Sequence, residues 1–348
     1  MDRRQFSLGM GALAATGLGI PGLRAHAASP ELIAAAEAEG QVVWYTTMIV
    51  DQAVRPLVAA FEERYPNITV EFSRAGSDET ALKIINEGQA DRMLGDVFDG
   101  VSTFASVMAA GFVEPYSPDS ASDYSAQFKD PEGHWHALNF YFLTAVHNTD
   151  LLSAEDAPQT YQDLLDERWR GNMVWPVDAT PVGAPGLIGN ILLTMGEEDG
   201  MAYLQQLAGQ GIVNMAASQR AVLDRVILGD FPIGLMCFNH HVAISQAQGA
   251  PIDWIRMEPV MASASLLGLV RNGPNPNAGR LLVDFILSRE GQEVLASTGY
   301  LPTHPEVAAL NPDLLATGPQ PFDTTFMAPD IVEQNLADWV RITDELFL

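Results

Sequence analysis

The chain has 348 residues, 47% of them hydrophobic, with 44 Asp and Glu against 18 Lys and Arg for a formal charge of -26. That length and apolar content suffice for two ordinary domains with real cores, which excludes a disordered or fibrous chain. The acidity would repel a phosphate backbone and so argues against a nucleic-acid partner.

In the opening stretch MDRRQFSLGMGALAATGLGIPGLRAHAA, Arg3 and Arg4 precede a moderately apolar run that closes on Ala25, His26 and Ala27. Those three parts in that order are expected of an export signal over residues 1–28, and the paired arginines resemble the twin-arginine class. Beyond residue 28 no apolar run reaches the ~18 residues that span a bilayer. The single cysteine, Cys237, lies far from the signal, so no lipid anchor and no disulfide are expected. The mature chain is expected to diffuse freely in the periplasm of a Gram-negative bacterium.

"GQVVWYTTMIV" predicts a buried strand over 42–47, and apolar residues at Val54, Leu57, Val58, Phe61 and Tyr65 predict a helix that Pro66 stops. "NITVEFSRAGS" predicts a second strand over 68–72, ahead of a helix from about residue 78. "GDVFDG" predicts a third, with a helix over 103–110 behind it. Strands alternating with helices mean β-α-β units and a mostly parallel sheet covered on both faces. Residues 112–134 then turn rich in Pro, Ser, Asp and Gly, and "HWHALNFYFLTAVHNTDLL" reads as paired strands at a first crossing between domains. A second alternating set starts at "GNMVWPVDATPVGAPG", runs through helices over 184–195, 198–209 and 219–228, and ends on the strand "FPIGLMCF". "IRMEPVMASASLLGLV" is the expected return crossing, after which the chain packs back on the first domain.

The expected fold is α/β, with two lobes, each a mostly parallel sheet flanked by helices. Lobe 1 is read as 29–138 with 262–348, and lobe 2 as 139–261. Such sheets bind ligands where strands end and helices begin, and two lobes on two crossings can close on a solute by hinge motion. The candidate contacts therefore come from loops: Thr46, Thr47 and Met48 after the first strand, Ser77 after the second, and Ser102 after the third. In lobe 2 they are Asp178 and Thr180, with Trp175 as an aromatic wall or a core residue. Ser218 is read as a helix cap. Arg220 sits in the first helical turn, where the dipole disfavours a cation, so it either pairs with an acid or reaches an anion. Asn139 and Tyr141 stand near the crossing. Asn239, His240 and His241 follow the last lobe 2 strand. The histidines can pack at the helix start, hydrogen-bond an oxyanion or polar solute, or hold a soft metal, and all three readings stay open.

No nucleophile elbow, zinc-protease signature, phosphate loop or dinucleotide fingerprint occurs, and Cys237 at the end of an apolar strand reads as inert packing. No catalysis and no cofactor are expected.

The stretches "VVWYTTM", "LVAAFEERYPNITVEFSRAGSDETALKIINEG", "GDVFDG", "VHNTDLL", "GNMVWPVDAT", "FPIGLMCFNHHVAISQAQGAPI" and "GRLLVDFILSREGQEVLASTGYLPTHPEV" together resemble the solute-binding proteins of ABC transporters. The resemblance is to the type II periplasmic group that includes ferric-iron, thiamine, polyamine and phosphonate binders. It implies the two-lobed type II fold, capture of a small polar or anionic solute, and delivery to an ABC permease and its ATPase. A monomer is expected. Ferric binders of that group carry two consecutive tyrosines where this chain has His240 and His241, and imidazole suits softer metals than ferric iron. The alternatives are a metal-binding protein of a ferric-iron-type transporter, with His240 and His241 as ligands, and a ligand-loaded sensor that docks to a receptor.

Overall fold

The computed structural model describes residues 28–100 and 102–348; the export signal expected over 1–28 lies outside them but for residue 28. The elements in chain order are α1 (Pro30–Glu39), β1 (Gln41–Thr46), α2 (Arg55–Arg64), β2 (Thr69–Arg74), α3 (Ser77–Gln89), β3 (Val97–Gly100), α4 (Thr103–Ala109), β4 (Val113–Glu114) and the long β5 (His136–Asn148). β6 (Met173–Pro176), α5 (Ala184–Met195), α6 (Glu197–Ala208), β7 (Val213–Met215), α7 (Gln219–Ile227), β8 (Ile233–Phe238), α8 (Asn239–Ala247) and β9 (Ile252–Ile255) follow. The chain returns along β10 (Val260–Val270) and finishes with α9 (Pro276–Leu287), α10 (Arg289–Ser297), β11 (Leu301–Pro302), β12 (Thr324–Phe326) and α11 (Pro329–Phe347).

The main strands form one sheet in the order β2-β1-β3-β10-β5-β8-β6-β7. β1, β2 and β3 are parallel to one another, as are β6, β7 and β8. Between the sets run β10 and β5, antiparallel to each other and to the neighbouring strand of each set. The stretch expected to be paired strands is thus a single 13-residue strand. Its run HALNFYFLTAVHN is buried along nearly its whole length and holds no turn residue pair that would fold it back, so its partners come from elsewhere in the chain. β10 covers its first half, and β8 and β9 its second.

Each half has its own core. Trp44, Leu57, Phe61, Ile68, Leu282 and Phe285 centre the first, and Leu164, Met173, Trp175, Ile188, Leu204 and Ile233 the second. Trp175 is therefore packing, its indole bonded to Asn214 and set against the Phe347 ring, and not a wall of the cleft. The assignment of all of 262–348 to lobe 1 fails at α11. Trp339 and Ile342 are buried in the second core, and a Cβ on Gly189 of α5 would meet the Trp339 ring at 2.7 Å. The helical stripe of α11 declares an apolar face without saying which half it covers.

A candidate ligand site between the two halves

The loops of the first half close on themselves. Thr47 donates from its backbone N–H and its hydroxyl to Asp99 Oδ1, at 2.9 and 2.7 Å, and the Thr46 hydroxyl accepts Met48 N–H at 3.1 Å. Met48 itself lies in the core. Burial pushes the Asp99 carboxyl above its usual range, against the Thr46 and Thr47 groups that hold it down. Gly100 lets these pieces meet: at φ 147° a Cβ would lie 2.1 Å from Thr103 Oγ1. The Thr103 hydroxyl donates to Ser77 O at 3.3 Å, and Gly76 rather than Ser77 caps α3. So the polar groups of Thr46 and Thr47 are engaged inside the protein, Met48 is core, and Ser77 is a half-buried residue at the first helical position. Ser102 Oγ is an exception and has no partner.

The second half leaves polar atoms open. In the loop after β6, Asp178 Oδ2 accepts Gln219 Nε2 at 3.3 Å, and the Thr180 side chain works with Gln219 against the burial that raises the Asp178 carboxyl. Ser218 caps α7 through Ala221 N–H. Arg220 pairs with Asp224 at 2.8 Å and donates to Ser245 Oγ at 3.2 Å, which offsets its place at the positive end of the helix. Tyr141 is buried on β5, cross-strand from Ser263, with its ring edge-on to Phe238. Asn139 donates to Phe140 O, and its strand position pairs with Ser265.

β8 delivers the histidines. Two of its residues, Leu235 and Met236, oppose Ala145 alone, and Met236 takes φ 59°, so the strand bulges just before its end. Beyond it Asn239 donates to Leu314 O at 2.9 Å and fixes the start of α8. His240 and His241 are 3% and 8% exposed, their ring centroids 4.4 Å apart, and Nδ1 of each has no partner. Burial lowers His240 to about 3. It also takes His241 well below the usual range, with His240, Arg220 and Arg74 adding to the effect. Both are neutral imidazoles at pH 7.

Two site residues lie outside the sequence expectation. Tyr300, between α10 and β11, sets its ring 4.9 Å from that of His240 and accepts Ile49 N–H at 3.2 Å. Arg74, at the end of β2, acts with Arg220 of the opposite half on both His241 and Tyr300. Across the same gap the charge of Asp78 bears on Asp178. Loops from the two halves thus face each other within electrostatic reach, and His241 sits in a locally positive field. Such a set can donate hydrogen bonds to an oxyanion. For a cation it is poor: neutral imidazoles beside two guanidiniums gain nothing from added positive charge. Among the described residues no group of three or more His, Cys, Asp or Glu is placed to hold a metal ion.

The profile of a family described as bacterial extracellular solute-binding protein matches residues 94–322. A probable ABC transporter periplasmic-binding protein of Sinorhizobium fredii is 25% identical over 285 residues, 78% of this chain and 77% of that one. Iron uptake protein A1 of Synechocystis is 20% identical over 313 residues, 82% of this chain and 85% of its own. In three dimensions the fold is similar to that of a periplasmic binding protein of Actinobacillus pleuropneumoniae solved with fructose-6-phosphate. The TM-score there is 0.71 at 22% identity, over 88% of this chain and 98% of that one.

Proposed function

This chain belongs to the bacterial extracellular solute-binding proteins, and from that premise we propose that it captures a small anionic organic solute between its two halves and hands it to an ABC permease and its ATPase. The observation that carries the choice of ligand is the convergence of Arg74 and Arg220, one from each half, on His241, which lies against His240, both of them buried, neutral imidazoles with an unpartnered nitrogen. A buried donor without a partner costs about 1–3 kcal/mol, which a ligand oxygen recovers on arrival. Charge-assisted bonds from the guanidiniums add to that. The relatives bracket the possibilities, one named for iron uptake and another solved with a sugar phosphate. The residues of this site side with the second, because ferric iron prefers phenolate and carboxylate oxygens over imidazole.

On this reading the mature chain works in the periplasm as a monomer, free solute meets an open form, and the partner recognises the closed one. A chemoreceptor in place of the permease would use the same closed form. A permease–ATPase complex in vesicles whose ATP hydrolysis rises with loaded protein separates the two.

Thermal unfolding against a panel tests the ligand class: fructose 6-phosphate, inorganic phosphate, 2-aminoethylphosphonate, citrate, ferric citrate, zinc and copper. A ligand at a hundred times its Kd adds about 2.7 kcal/mol of stability. Stabilisation by an organic anion and none by the free metals is the expected pattern. Stabilisation by metals alone, lost in His240→Ala/His241→Ala, would establish the metal-binding alternative instead.

A further inference from the structure

We propose that Tyr300 is the hydrogen-bond donor that the first half contributes to the bound anion, and that it makes the site selective for acceptor oxygens. The inference rests on the anionic-solute reading and adds a residue to it. Tyr300 is 4% exposed, and its ring is tilted against His240. Its hydroxyl oxygen already accepts the Ile49 N–H. No acceptor for the hydroxyl proton is present among the described residues, so a buried O–H bond remains to be made.

The surroundings say what takes it. The charges of Asp99, Arg74 and Arg220 all bear on the phenol; Asp99 is already held by Thr47, whereas Arg74 engages no acid among the described residues. Burial keeps the hydroxyl protonated, pushing it up to about 12, so at neutral pH it donates and does not act as a phenolate. The loop after β1 sets the direction of that donor. Asp99 holds Thr47, Thr46 holds Met48, and the turn so fixed presents Ile49 N–H to the phenol oxygen. The first-strand loop therefore acts on the ligand through Tyr300, even though its own hydroxyls face inward. On the other side Gly299, at φ 93°, lets Ile244 of α8 come within 3.2 Å of where a Cβ would stand, which brings the phenol up to the histidine pair.

Calorimetric titration of wild-type protein and Tyr300→Phe with fructose 6-phosphate, inorganic phosphate and 2-aminoethylphosphonate tests this. The variant keeps the ring packing and removes one O–H. At least a tenfold loss of affinity is expected, for whichever of the three wild type binds. In 13C-tyrosine-labelled wild type, the Cζ resonance that Tyr300→Phe deletes is expected to move when that anion is added. A merely structural phenol would lower the melting temperature of the free protein while leaving affinity and the Cζ shift unchanged, and that result overturns the inference. Wild type that binds none of the three anions overturns the anionic-solute reading and this inference together, whereas binding that Tyr300→Phe leaves intact removes the inference alone.

Discussion

The loops of the first half and those of the second are built from similar residues and treat them in opposite ways. Around Asp99, the Thr46, Thr47 and Thr103 hydroxyls find protein partners. Across the gap Asn239 Oδ1 and the Nδ1 atoms of His240 and His241 find none. A satisfied loop is scaffold, and an unsatisfied one waits for something. Because an orphaned buried polar group costs free energy that a bound partner returns, the cluster at Asn239, His240 and His241 is where the second half gives up stability for recognition, while the first half leaves Thr80 Oγ1 and Ser102 Oγ open.

Perturbing each side in turn would break or sharpen that contrast. The largest expected effect is in the double variant His240→Ala/His241→Ala. Losing two bonds to a charged group, at about 1.5–3 kcal/mol each, weakens anion binding by two orders of magnitude or more, read by calorimetric titration. Thr47→Val acts on the opposite wall and should do the reverse. It strips one donor from a buried carboxylate, lowers unfolding stability by about 1–3 kcal/mol in urea melts, and leaves affinity within a few-fold of wild type. Equal losses of affinity in the two variants would erase the distinction between the walls.

Acidification gives a third, intermediate effect. His240 is lowered to about 3 and His136, in the first half, to about 4, both by burial, with Lys129 adding at His136. A depressed folded value means the unfolded chain binds more protons below pH 6.5, so the stability each group contributes is present above that pH and drains away as pH falls toward the folded value. At about 1.36 kcal/mol per pH unit, each histidine costs about 2 kcal/mol by pH 5. Bound anion favours protonation of His240 but not of His136, so urea melts at pH 5 and 7 should show saturating anion flattening the pH dependence only in part. The smallest effect is expected of Thr180→Val. Removing one of the two side chains that hold the Asp178 carboxyl lowers stability by about 1 kcal/mol in urea melts. A drop of several kcal/mol would mean that this hydroxyl supports more of the loop than the Asp178 carboxyl alone.

Much of the architecture is legible in the sequence because buried strands and capped helices leave local marks. Ser218 announces α7, and the apolar run ending at Phe238 announces β8. What escapes is pairing over distance. Periodicity gives α11 an apolar face but cannot assign it to a half, and the unbroken β5 looks like two strands because its length is unusual. At the site, the adjacent histidines stand out after an apolar strand, whereas Thr46 and Thr47 look available for a ligand until Asp99 is seen to occupy Thr47 and the Met48 backbone Thr46. Arg74 and Tyr300 escape because each is ordinary in its own segment. The glycine before Tyr300 is the local signal that could have marked the second, since a positive φ at Gly299 brings that turn against α8.

The placement of α11 bears on how the molecule can move. β5 and β10 already tie the two bodies together, and the polypeptide passes over a third time after β11 and before α11. A door hung at three points swings about one axis and resists wrenching out of plane. On the proposed function, jaws so tied would be steered along a single arc, bringing Arg74 and Arg220 opposite each other at each closure. A fluorophore attached at the carboxyl terminus would ride with the jaw that carries the imidazoles, and not with the one from which the chain sets out.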